Sequence, residues 1–161
     1  MKSENLSHVN RRGEANMVDV GDKAITQRTA RAEGSIYMGQ PTLAAVSANQ
    51  VKKGEVLAVA RVAGIQAAKR CAELIPLCHP LALSKVEVTF SFAQDHIRIE
   101  AFCKVSGQTG VEMEALCAVS TAALTIYDMC KALDKEMRVE GIRLLEKHGG
   151  RSGSWQAQKE S

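Results

Sequence analysis

Asp128 and Lys131 lie three residues apart at the end of a stretch, residues 115–127, that contains no charged side chain. On a helix that spacing puts both on one face. A carboxylate beside an ammonium there is either a helix-end ion pair worth about 0.2–0.5 kcal/mol or a pair able to move a proton. Glu112 and Glu114 open the same stretch, where two carboxylates suit the positive end of a helix dipole and could also serve a site. Glu114 and Asp128 are fourteen residues apart, within about 40° of the same face but separated by about 21 Å along the axis. One small molecule cannot touch both in one chain. If both serve one site, it draws them from different chains or from a bent helix end. A third feature is His79, held between Pro76 and Pro80 in an apolar loop. Two fixed φ angles stiffen the backbone around it, so His79 is either a structural loop histidine or a positioned acid, base or donor. Lys53 precedes Gly54, and Lys147-His148-Gly149-Gly150-Arg151-Ser152-Gly153 ends the chain's last apolar segment. Cations beside exposed backbone N–H groups suit phosphate, although no GxxxxGK[ST] loop is present.

These residues need elements to hold them. Residues 24–38, rich in Thr, Ile and Tyr, read as a first strand with a kink or bulge at Gly34. Pro41 opens a short helix with Leu43, Val46 and Val51 on its stripe. A second helix carries Val56, Ala60, Ala63, Gly64, Ala67 and Cys71 on one face, a seam so small that another element must approach it closely. Val86, Val88, Phe90 and Phe92 alternate with polar residues, and Ile97, Ile99, Ala101, Cys103 and Val105 alternate after a turn at residues 93–96. This pattern is a hairpin with one buried face. The uncharged stretch predicts a long helix to about Leu133, covered on nearly every side. Residues 137–145 read as a last strand interrupted at Gly141. The order β-α-β-β-α-β predicts an α+β, ferredoxin-like sandwich with an extra helix in the first crossover, a mostly antiparallel sheet and helices on one face.

The chain has 161 residues, 21 Lys+Arg against 18 Asp+Glu and 45% hydrophobic residues. That is the composition of a single globular domain. The expected organisation is one domain over 1–161, with an extended N-terminal segment at 1–22 and a flexible glycine-rich tail at 148–161. No segment is a polybasic tail, so a compact anion is a better partner than nucleic acid. An RNA-binding module on this fold would stack bases on sheet aromatics. Only six aromatic residues exist, and Phe90 and Phe92 fall on the face that Val86 and Val88 mark as buried. Five cysteines, with no CxxC pair, read as reduced buried thiols. A metal carrier built on Cys78 and His79 would need a second ligand pair at zinc spacing, which the sequence lacks. The opening residues have no signal-peptide core, and no run reaches 18 apolar residues, so a cytoplasmic protein without a membrane partner is expected.

Five stretches carry a resemblance to a known family: Met17-Val18-Asp19-Val20, Ala63-Gly64-Ile65-Gln66-Ala67-Ala68-Lys69-Arg70, Glu73-Leu74-Ile75-Pro76-Leu77-Cys78-His79-Pro80, Gly107-Gln108-Thr109-Gly110-Val111-Glu112-Met113-Glu114-Ala115-Leu116 and Tyr127-Asp128-Met129-Cys130-Lys131-Ala132. The chain resembles the cyclic pyranopterin monophosphate synthases, the molybdenum cofactor biosynthesis protein C family. It departs from the family's usual residues at Asn10, Arg151 and Ser154. The resemblance implies a lyase that converts (8S)-3',8-cyclo-7,8-dihydroguanosine 5'-triphosphate, a cyclised dihydro-GTP, into cyclic pyranopterin monophosphate with release of pyrophosphate. It implies Asp128, Lys131 and Lys53 as catalytic residues, and Leu77, Cys78, His79, Glu112, Met113, Glu114, Arg28 and Lys147 as substrate-binding residues. It further implies a homohexamer, a trimer of dimers with sites at subunit interfaces. No protein-bound metal or cofactor is implied, while Mg2+ can accompany the substrate triphosphate.

Overall fold

Alternation builds the sheet and small-residue seams set the helices on it. A computed structural model describes residues 7–158. Its elements are β1 (Thr26–Tyr37), α1 (Gln40–Ser47), α2 (Val56–Lys69), a single turn α3 (Cys71–Leu74), β2 (Lys85–Phe92), β3 (His96–Gly107), α4 (Glu112–Cys130), β4 (Arg138–His148) and β5 (Trp155–Gln156). The sheet order is β2-β3-β1-β4-β5, and every neighbouring pair is antiparallel. The first four strands have the β-α-β-β-α-β connectivity read from the sequence, with α1 as the extra helix of the first crossover.

The core lies between one sheet face and α4. Ala30, Ala32 and Ile36 of β1 and Ile97, Ile99, Ala101, Cys103 and Val105 of β3 are buried there together with Ala115, Ala118, Val119, Ala122, Ala123 and Ile126 of α4. Because these helix residues are mostly alanine, α4 lies close to the sheet. The α2 seam is equally tight, since a Cβ on Gly64 would stand 2.9 Å from the Ala118 carbonyl oxygen. Among the described residues α4 is the one helix long and apolar enough to cross a membrane. Here those apolar side chains form the core between the sheet and α2.

Several sequence expectations shift in detail. The long second helix ends at Lys69, and Cys71 belongs to α3. The final helix stops at Cys130 rather than Leu133, where the chain turns back with Leu133 N–H donating to the Cys130 carbonyl. The hairpin turn comprises residues 93–95, with His96 already in β3. Phe90 lies half-buried under the Arg61 guanidinium, but Phe92, at the strand end beyond the helices, is 45% exposed. The irregularity expected at Gly34 lies across from it: between Glu33 and Ser35 the partner strand inserts an extra residue, and Gly141 takes a φ of +66°. That left-handed backbone is one that glycine adopts without a Cβ penalty. Beyond His148 the glycine-rich segment turns back, and β5 pairs Trp155 with Lys147 and Gln156 with Glu146.

The sheet face away from the helices carries a lattice of charges. Arg31 bridges Glu100 (2.6 Å) and Glu146 (3.3 Å), Arg98 bridges Glu33 (2.5 Å) and Glu100 (2.9 Å), and Arg143 reaches Glu33 at 2.8 Å. Burial pushes the Glu33 carboxyl up, but hydrogen bonds from Arg143 and Arg98 outweigh it and hold the group below its ordinary value. Phe102 on this face is covered by Arg31 and Lys85, so its ring is already occupied by cations rather than open for a base.

Candidate active site

The 19-residue helix α4 carries candidate residues at both ends, and its ends differ in kind. At its start Glu114 is only 4% exposed. Burial pushes its carboxyl up, its own backbone N–H opposes that, and the neighbouring charge of Glu112 adds to the rise, to about 7. A carboxyl that titrates near neutrality can both give and take a proton at physiological pH. Glu114 lines a cavity of about 260 Å³ together with Glu112 and Met113 from the same helix turn and Leu77, Cys78 and His79 from the loop after α3.

His79 is fixed by a 2.6 Å contact from Nε2 to the Val18 carbonyl. A carbonyl can only accept, so Nε2 carries the proton and a neutral ring leaves Nδ1 as its acceptor. Glu112 pairs with Lys147 of β4 at 2.9 Å. Arg28 of β1 donates from Nε to the Gly107 carbonyl and from Nη2 to the Gln108 carbonyl, both at 3.2 Å, and so braces the turn that launches α4. Arg28 also lines a larger groove of about 830 Å³, shared with Lys23, Thr26 and Arg151.

At the other end of α4, Asp128 sits between two ammonium groups. Lys131 Nζ lies 2.8 Å from Oδ1, and Lys53 Nζ lies 3.4 Å from Oδ2 and 2.9 Å from the Asp128 main-chain oxygen. Hydrogen bonds from Lys131 and then Lys53 hold the Asp128 carboxyl below its ordinary value, and Asp128 raises that of Lys131. All three side chains are about half exposed, at 48–60%.

The chain thus gathers Leu77, Cys78, His79, Glu112, Met113 and Glu114 around one cavity; Lys147 touches that group through Glu112, and Arg28 lines the separate larger groove. It gathers Lys53, Asp128 and Lys131 in a second place. One chain does not bring the two groups together. Spacing alone links Asp128 to Lys131, but Lys53 joins them through the loop between α1 and α2, which no periodicity foretells. Sequence reasoning also missed that Val18, Val20 and Lys23 form part of the cavity wall; the string Met17-Val18-Asp19-Val20 was the signal available for that segment. All five cysteines are free. Cys71 and Cys117 stand 3.7 Å apart, and burial pushes both thiols up, which keeps them protonated and unreactive. Among the described residues no three His, Cys, Asp or Glu side chains cluster to hold a metal.

A ferredoxin-like sandwich with a near-neutral carboxyl in a cavity, and cations around and beyond it, has the makings of an enzyme that handles a small anionic molecule. The match to the MoaC family extends over residues 17–150, and the chain belongs to that family. MoaC proteins are enzymes of molybdenum cofactor biosynthesis.

Proposed function

We propose that this protein is a cyclic pyranopterin monophosphate synthase, a lyase that turns the cyclised dihydro-GTP into cyclic pyranopterin monophosphate and pyrophosphate. What carries the reading is the family match, whose span of residues 17–150 includes every candidate residue at both ends of α4. In the reaction a sugar oxygen attacks the α-phosphorus, a new P–O bond forms, and the bond to the bridging oxygen breaks as pyrophosphate leaves with its electron pair. Charge builds on the leaving group, and fixed cations stabilise it. Lys53, Lys131, Arg28 and Lys147 are the cations assigned to that work. Asp128, held ionised between two lysines, is the proton acceptor. Glu114 supplies a carboxyl that gives and takes a proton during opening and reclosure of the purine ring, and His79 hydrogen-bonds the substrate. A magnesium ion, where it takes part, enters with the triphosphate.

Both ends of α4 serve one reaction if the active unit is the homohexamer, in which the cavity of one subunit faces the Lys53–Asp128–Lys131 group of another. The apolar outer face of α2 supports this assembly. Val59 and Val62 are 46% and 56% exposed, and Leu124 of α4 is 62% exposed, an arrangement suited to a second chain.

The test is pyrophosphate release from the cyclised nucleotide by the purified protein, with GTP as the control. Release from the cyclised compound alone is expected. No release from a correctly assembled oligomer would reject the reaction.

A further inference from the structure

Residues 17–23 run along the cavity as an irregular strap, held by its backbone from two sides. His79 contacts the Val18 carbonyl, while Gln108 donates from Nε2 to the Gly21 carbonyl at 3.0 Å and the Lys23 carbonyl at 3.1 Å. Gln108 is itself fixed, because Arg28 donates to its main-chain oxygen. Its side chain is not part of the cavity wall, so whatever it does for a bound molecule it does through the strap. Two donors on one amide nitrogen match two carbonyls, and a loop tied in advance spares a ligand the cost of ordering it.

Lys23 lines both the cavity beside Glu114 and the groove beside Arg28. The groove holds three cations, Lys23, Arg28 and Arg151, against the single carboxylate of Asp22. Among the described residues none of the three cations has an ion-pair partner. Thr26, also in the groove wall, has a buried hydroxyl with no hydrogen-bond partner. Unneutralised cations and an unpartnered hydroxyl suit a phosphate oxyanion.

We propose that Gln108 is a positioning residue and that Lys23 is the cation it positions: the amide keeps Lys23 where cavity and groove meet, and the ammonium joins Arg28 on the phosphate end of a molecule whose other end occupies the cavity. This rests on the triphosphate substrate proposed above, and the test separates the two.

Inorganic pyrophosphate is titrated calorimetrically into the full-length protein and into Gln108→Ala, Gln108→Glu, Lys23→Met and the Gln108→Ala/Lys23→Met double variant. Glutamate keeps the length but cannot donate. Each Gln108 variant is expected to weaken binding about tenfold, Lys23→Met at least as much, and the double variant no more than Lys23→Met alone. Trypsin should cut after Lys23 faster in folded Gln108→Ala than in the parent. With the cyclised nucleotide, KM should rise in Gln108→Ala while kcat stays within about twofold, the mark of lost binding rather than lost chemistry. Full-strength pyrophosphate binding by the Gln108 variants, additive losses in the double variant, or no binding by the parent each overturns the assignment. Parent protein that binds pyrophosphate in the expected pattern but leaves the cyclised nucleotide untouched would sink the reaction and keep the anion site.

Discussion

The two ends of α4 hold similar side chains in opposite states. Glu114 is a carboxyl that burial has driven towards neutrality, opposed by its own backbone N–H. Asp128 is an exposed carboxyl that two lysines keep ionised. Exposed ion pairs contribute little to folding, so stability gives no strong reason for three charges to converge at that end. A buried ionisable carboxyl works against the fold once it is charged. Neither arrangement is what packing alone would select, and each suits a different chemistry: a carboxyl near neutrality is able to exchange protons at physiological pH, and an ionised one between lysines holds a fixed charge pattern facing outward.

The contrast can be broken most directly at the exposed end. Asp128→Asn and Lys131→Ala should each lower pyrophosphate release at least about 100-fold, while the denaturation midpoint stays where the parent has it. Near-normal turnover in both would return the pair to a helix-end ion pair. At the buried end the expected signature is in stability. The Glu114 carboxyl titrates near 7 in the folded protein against about 4.3 in an unfolded chain. Between those values the folded state binds more protons, so stability falls as pH rises through the window and levels off above it. Glu114→Gln should therefore match the parent near pH 4 and exceed it by up to about 4 kcal/mol well above pH 7, read from urea melts across pH. A constant difference at all pH values would remove the raised carboxyl from the account. The smallest effect tests how the ends meet. Co-expressed Glu114→Gln and Asp128→Asn chains, each inactive alone, should regain about a quarter of parental activity if each site takes one end from each of two chains. No recovery in mixed oligomers would place both ends in separate sites.

Much of the fold was legible because its signals are local. Alternation in residues 86–92 and 97–105 dictates a hairpin whichever partner it finds, and the alanine- and glycine-rich stripe of α2 announces a close neighbour before that neighbour is known. Phe92 misleads because alternation reports which face a residue points to and not whether a helix reaches that far along the strand. The tail misleads in another way: two residues of β5 hydrogen-bond to β4 through backbone groups, which composition does not record. The site was legible only in pieces. Asp128 with Lys131 follows from helix spacing, and the rise of the Glu114 carboxyl follows from burial that no spacing reveals. Lys53 and the strap at residues 17–23 arrive from distant sequence through loop paths. The strap's main grips are on carbonyl oxygens, which every residue has.

The sheet has two outer strands, and the way each ends bears on how the protein behaves when concentrated. β5 pairs with β4 at Glu146 and Lys147, and Ala157 N–H donates to the Leu145 carbonyl just beyond it, so this cover is confined to the C-terminal end of β4. Register breaks between Arg31 and Ala32 and between Glu33 and Ser35 disturb the β4 ladder, and Arg138, Glu140 and Arg143 punctuate the strand with charge. On the far border β2 has eight residues and carries Lys85 and Glu87. Kinked, short and charged borders are poor templates for a foreign strand. The chain thus carries its exposed apolar side chains, Val59, Val62 and Leu124, on its helices, while its sheet borders are guarded against a stray strand.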